Sequence, residues 1–333
     1  MTDTNTHIEE LTTLEVPGYR IPAAITLPAT PNPETELPSA VLLVPGSLFC
    51  DVNGDFPTWN SFPHVYAHLA RQLSAKGHAV YRFAKLGPGT GSTPTDPELA
   101  AKLQNWEGRL VIAKAALHAM RRDLESRGVR TGLTIAAGHS EGSVVVSRLA
   151  GSDDGRHLDG VILLSGPSIG ILGIMSEQIA IHVPPNDVDA ARRTHDEAIP
   201  YIHRGEPIPE ELTRGTGMGI GVIAKMPIES RNYMRDVDLT DPLALAREMS
   251  QRTLVVQGGK DDSVPTHHGE RLRDALRSRP NGQSEYLFVP GVSHMYKVVP
   301  PEVTGPAAFG YPGPVDGRVV DGIDAWIRSV QKT

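Results

Sequence analysis

Cysteine is nearly absent: Cys50 is the only one in 333 residues, so no disulfide can form within the chain. Aromatic residues are also scarce, at 5% of the chain. No apolar run approaches the roughly 18 residues that span a bilayer, which argues against a membrane partner. Basic residues do not predominate. Lys and Arg number 32 against 39 Asp and Glu, and a formal charge of −7 gives no footing for nucleic acid. The first ten residues carry neither a basic cluster nor an apolar core, so we expect no secretory leader and a cytoplasmic protein. With 39% hydrophobic and 21% charged residues, the remainder reads as a globular chain with a substantial core.

What is present is alternation. Strand-like segments at 23–27, 40–44, 79–83, 133–137, 161–164, 253–257 and 285–289 are interleaved with helical patterns at 64–76, 109–127 and 267–277. A last helix carries Val319, Ile323, Trp326, Ile327 and Val330 on one face. This order predicts an α/β fold, a mostly parallel central sheet flanked by helices. Residues 168–247 break the pattern. They are rich in Ile, Met, Gly and Pro, and unstructured loops of such length are rare in compact domains. We therefore expect a core of 15–167 and 248–333, with 168–247 as an inserted helical cap. Within it, Ile171, Ile174, Met175, Met218, Ile220 and Met226 either line an apolar pocket or form the cap's own core.

The strand 133–137 runs into Gly138-His139-Ser140-Glu141-Gly142, and a helical segment follows at once. A serine on so sharp a strand-to-helix turn presents its hydroxyl above the sheet, and Gly138 and Gly142 admit the close packing. A second Gly-x-Ser-x-Gly, Gly166 to Gly170, is weaker. Its serine, Ser168, follows Pro167, and its glycines make a poor helix start. A hydroxyl attacks at neutral pH only when a histidine takes its proton and a carboxylate orients that histidine. Strand-end loops supply both in the chain order Ser, acid, His. Asp261 and Asp262 follow 253–257, and His294 follows 285–289. Oxyanion donors are expected from the backbone N–H of Glu141 and of Ser47, which follows the strand at 40–44. The Glu141 side chain is expected to be structural.

Other motifs read as scaffold. Asp51-x-Asn53-x-Asp55 lacks the Gly and Glu of a calcium loop, having Phe56 and Phe62 at those places. Gly87 to Ser92 lacks the Lys of a phosphate loop. His64-x-x-x-His68 lacks the Glu of a zinc protease motif. Cys50 reads as a small buried hydrophobe.

Taken together, the chain resembles the α/β-hydrolase superfamily, and within it bacterial serine esterases related to dipeptidyl peptidases and dienelactone hydrolases. Residues 41–47 resemble that family's strand followed by His-Gly-Ser, with Pro45 in place of the histidine. Residues 81–87 are similar to its Arg-Tyr-Asp-Lys-Arg-Gly turn, departing at Ala84 and Leu86. Segments 51–55, 163–178, 233–244, 254–265 and 288–297 extend the likeness over most of 15–330. The resemblance implies an α/β-hydrolase fold and hydrolysis of a small-molecule ester or lactone through an acyl-enzyme, with no metal or organic cofactor. It implies Ser140, Asp261 and His294 as nucleophile, acid and base. Spacing to Val264-Pro265 favours Asp261, with Asp262 as the alternative acid. The same triad would serve an acyltransferase, a thioesterase or a lactone-opening enzyme, and a non-catalytic binding homologue is the reading from another class. Substrate identity and oligomeric state are left open by the sequence.

Overall fold

The computed structural model describes residues 7–29, 36–213, 219–280 and 283–331. Among the described residues nine strands form one sheet: β1 (His7–Val16), β2 (Tyr19–Pro28), β3 (Leu37–Val44), β4 (Ala79–Phe83), β5 (Thr93–Pro94), β6 (Thr131–His139), β7 (Gly160–Leu164), β8 (Arg252–Gly258) and β9 (Ser284–Val289). Their order is β1-β2-β4-β3-β6-β7-β8-β9, with β5 beside β2. From β4 across to β9 every pairing is parallel, whereas β1, β2 and β5 add antiparallel partners at one side.

The central strands are buried on both faces, which explains their continuous apolar runs. Successive side chains alternate between the two faces. Ala40, Leu42 and Val44 of β3 therefore join one core cluster, and Val41 and Leu43 join the other. In β7, Val161 and Leu163 part from Ile162 and Leu164 in the same way. Helices cover each cluster. They include α1 (Val65–Ala75), α2 (Pro97–Leu103), α3 (Trp106–Ser126), α4 (Glu141–Ala150), a tenth helix, α10 (Thr266–Arg277), and then α11 (Gly305–Phe309) and α12 (Gly317–Gln331). The stripe foreseen near the C-terminus is buried: Val319, Ile323, Trp326, Ile327 and Val330 all line the inward face of α12.

Between β7 and β8 lie α5 (Ile171–His182), α6 (Val188–Arg204), α7 (Ile220–Lys225), α8 (Ile228–Asp238) and α9 (Pro242–Glu248). This helical insertion has a small core of its own. Leu172, Ala198, Ile202, Ile220 and Ile223 are buried together, with Ile171, Met175 and Met226 packed against them. Ile174 is buried as well, and Met218 lies outside the described residues. Among the described residues, no helix is long and apolar enough to cross a membrane.

The periodicity found β2 at 23–27 but missed β1, its hairpin partner. Strand β1 alternates too many Glu and Thr residues with few apolar ones to stand out, because one face is exposed.

Candidate active site

Four loops at the C-terminal ends of parallel strands bring the foreseen residues to one edge of the sheet. Ser47 follows β3, Ser140 follows β6, Asp261 follows β8 and His294 follows β9. Ser140 sits between β6 and α4 with φ 54° and ψ −125°, a conformation rare for a residue with a Cβ. Two glycines make it possible. A Cβ on Gly138 would overlap the Gly142 carbonyl, and one on Gly142 would overlap the Val44 carbonyl across the sheet. The Ser140 amide is tied to Leu164 O at 2.8 Å, and its carbonyl accepts from Ser143 N at 2.9 Å. The residue remains partly exposed.

His294 and Asp261 form a buried pair, with Nδ1 2.9 Å from Oδ2. The carboxylate is held from the other side by backbone amides. Its Oδ1 accepts from Val264 N at 2.8 Å and from Ser263 N at 3.0 Å. Asp262 points elsewhere, its Oδ2 accepting from Gly305 N at 2.8 Å at the start of α11. With Nδ1–H donated to Asp261, His294 keeps a lone pair on Nε2. Its ring is 4.5 Å from that of His139 and 6.3 Å from that of Phe309 by centroids. His139 immediately precedes Ser140, so this contact joins the two chain segments. Among the described residues the Ser140 hydroxyl forms no hydrogen bond with His294. Such bonds are often long before substrate enters and tighten afterwards.

Three residues to which the sequence assigned no role, Arg109, Lys85 and Tyr233, hold this edge in place. Arg109 of α3 reaches the loop after β3 with Nη2, 2.5 Å from Pro45 O and 3.2 Å from Gly46 O. A trans peptide points its N–H opposite to its C=O. Gripping Gly46 O thus aims the Ser47 N–H to the other side. Lys85 donates to Ser47 O at 3.0 Å and to Glu141 Oε1 at 3.2 Å. Arg109 Nε is 3.3 Å from the same oxygen. Tyr233 of α8 donates to it as well, at 2.7 Å. Glu141 is thus a buried anchor for two cations. Burial alone would raise its pKa, but Lys85 and Arg109 hold the carboxyl below its ordinary range. Burial pulls Lys85 down to about 8 despite the carboxylate beside it. Arg109 had a signal: it occupies the inward stripe continued by Ile112, Ala113, Ala116, Leu117 and Met120. An arginine at such a place is rarely tolerated unless paired.

A second relay runs through Tyr66. Its hydroxyl accepts from Gly46 N at 2.9 Å and donates to His139 Nδ1 at 3.1 Å, and His139 Nε2 donates to His294 O at 3.0 Å. Burial, then the neighbouring His294, push His139 down to about 3, so its ring is neutral and each nitrogen has one role. This histidine is a strut.

The remaining motifs behave as scaffold. Asp51 Oδ1 caps its own turn at Asn53 N and Asp55 N. His64 pairs with Asp55 while His68 accepts from Lys297, so the two rings serve separate partners. Cys50 is buried, and burial pushes its thiol up to about 12, leaving it un-ionised at neutral pH. Ser168 hydrogen-bonds His268 in a buried contact far along the chain from Ser140.

Comparison with known proteins agrees with this architecture. Esterase EstD of Thermotoga maritima is 24% identical over 307 residues, which is 92% of this chain. The chain spans 65% of that relative's length. Among solved structures, proline iminopeptidase of Mycobacterium smegmatis superposes with a TM-score of 0.58 at 14% identity, covering 97% of this chain and 99% of its own. Est1E of Butyrivibrio proteoclasticus gives 0.54 at 12% identity, with the same coverage of 97% and 99%. At such identities these structures speak for the fold. The model of the alpha/beta hydrolase family matches residues 41–303, most of the chain. Its sheet order, its helical layers and that match together make this chain a member of the alpha/beta hydrolase family.

Proposed function

We propose that the protein is a serine carboxylic-ester hydrolase acting on a small-molecule ester or lactone. The observation that carries this reading is the buried Asp261–His294 pair, at 2.9 Å, beside the strained turn that presents Ser140. His294 Nε2 takes the hydroxyl proton as Ser140 Oγ attacks the ester carbonyl. Asp261 stabilises the imidazolium that forms. The Ser47 and Glu141 amides receive the oxyanion. Glu141 is the first residue of α4, where amide hydrogens have no acceptor in a preceding turn. The imidazolium then protonates the leaving alcohol, and the acyl group stays on Ser140. Water then attacks the acyl carbon as His294 takes its proton, and His294 returns that proton to Ser140 Oγ as the acyl–oxygen bond breaks and the acid leaves.

The insertion serves as a cap in this reading. Support comes from α8, whose Tyr233 reaches Glu141, and from α5, whose Gln178 donates to Ser263 O at 2.7 Å in the Asp261 loop. The resemblance to esterases and the 24% identity to Esterase EstD favour an ester over a peptide bond.

Ser140→Ala tests the proposal with an aryl ester and a fluorophosphonate probe. Turnover should fall by at least about a thousandfold, and covalent labelling should vanish. Retention of wild-type turnover in this variant would sink the assignment.

A further inference from the structure

A second constellation joins the helical insertion to the core. Glu177 of α5 faces the first turn of α10, where His267 and His268 are consecutive. Glu177 Oε1 is 3.3 Å from His267 Nε2, and Oε2 is 2.9 Å from His268 Nε2. The imidazoles lie 4.1 Å apart by centroids, tilted by 39°. One ligand atom from each of the three residues lies within 4.8 Å of the other two. Among the described residues no other such trio of His, Cys, Asp or Glu side chains converges. Neighbouring helical positions point roughly 100° apart, so two adjacent histidines seldom present their nitrogens to one point.

We propose that Glu177, His267 and His268 form a binding site for a divalent transition ion of the zinc type, which staples α5 to α10. Two imidazoles and a carboxylate are the donors that such ions prefer, whereas calcium and magnesium take oxygen ligands. Ligand atoms about 2.1 Å from a tetrahedral ion stand about 3.4 Å apart. Here each imidazole already meets its own oxygen of the Glu177 carboxylate, and one ligand atom from each of the three residues lies within 4.8 Å of the others, so small side-chain shifts bring them to that spacing. One nitrogen is rigid and the other accessible. His268 is fully buried, and its Nδ1 is held by Ser168 Oγ at 2.7 Å and Ser168 N at 3.2 Å. His267 is 47% exposed and opens a path for the ion.

Binding moves one proton within the His268 ring. The ion takes the Nε2 lone pair, so the ring proton goes to Nδ1, and the Ser168 hydroxyl turns from donor to acceptor. The Ser168 amide, the longer of the two contacts, gives up its acceptor in that exchange. The His267 ring, 47% exposed, makes the same change. Water completes the coordination. The consequence is mechanical, because Gln178, next to Glu177, already bonds Ser263 two residues beyond Asp261. An ion here holds the insertion against the loop that carries that carboxylate.

The test uses the full chain stripped with a chelator and titrated with Zn²⁺ alone by calorimetry. One ion should bind per chain and raise the thermal unfolding midpoint. His267→Ala and Glu177→Gln, both at partly exposed side chains, should each weaken binding at least about tenfold and remove the rise. A His64→Ala/His68→Ala double variant should keep both. Absence of saturable binding overturns the proposal. So does wild-type affinity in the combined His267→Ala/Glu177→Gln variant, or loss of binding in the His64/His68 variant alone.

Discussion

Asp261 and Asp262 are neighbours with the same chemistry, and their backbone settings give them different work. Asp261 receives two amides and the His294 ring, while Asp262 caps the start of α11. In the proposed mechanism Asp261→Asn should lower kcat for an aryl ester by about 10⁴-fold, because an amide stabilises the wrong imidazole tautomer. Asp262→Asn should leave kcat within a few-fold of wild type. Equal losses in the two variants would reverse the assignment. Lys85 gives the pH dependence. Burial has drawn its pKa down to about 8, so it is charged below that pH and neutral above it. Its grip on Ser47 O and Glu141 Oε1 is therefore lost as pH rises through about 8, and kcat should decline over that window. Lys85→Met should have a low kcat with no such alkaline decline. A decline of wild-type shape in that variant would place its origin elsewhere.

At the scale of elements, the N-terminal hairpin is fastened to the sheet and its covering helix through one carboxylate. Glu9 of β1 meets Arg71 of α1 at 2.8 Å and the buried Arg82 of β4 at 2.9 Å. Burial opposes ionisation of Glu9, yet the two guanidinium groups hold its pKa below the ordinary 4.5. A lowered carboxyl pKa contributes stability that is complete above pH 4.5 and fades as pH falls through the folded value. Glu9→Gln should cost roughly 2 kcal/mol at neutral pH, read from urea unfolding. The gap between variant and wild type should close in acid. A gap that persists there would show that the loss is one of packing. The strands and helices of the sheet's centre were readable from the sequence because burial on both faces leaves an unbroken apolar signature. Strand β1, short helices α2 and α11, and the individual helices of the insertion carried no such mark. Their shape depends on what they lie against.

Across the whole molecule, two large clusters cover the faces of the sheet, whereas the insertion has only a small core. Regions with few buried apolar contacts open at lower free energy than the global transition. Native-state hydrogen exchange should therefore find the amides of α6 and α7 exchanging well before those of β3, β6 and β7. Equal protection throughout would mean that the insertion and the core unfold as one. The placement of Ser140, Asp261 and His294 in strand-end loops was legible because each follows a strand whose pattern is local. The partners of Arg109, Tyr66 and Tyr233 were not, even though Arg109 stood out on its stripe, since what matters is the carbonyl, ring or carboxylate each one reaches, 64, 73 and 92 positions away along the chain. The convergence of Glu177 on His267 and His268 was hidden for the same reason. By itself the sequence determined the alternation of elements, the sheet they build and the loops that carry reactive side chains, because these follow from local periodicity and turn chemistry. Only the tertiary structure decided which carboxylate meets the histidine and how buried charges brace the backbone around it. Those outcomes depend on distances between remote segments, which no local pattern encodes.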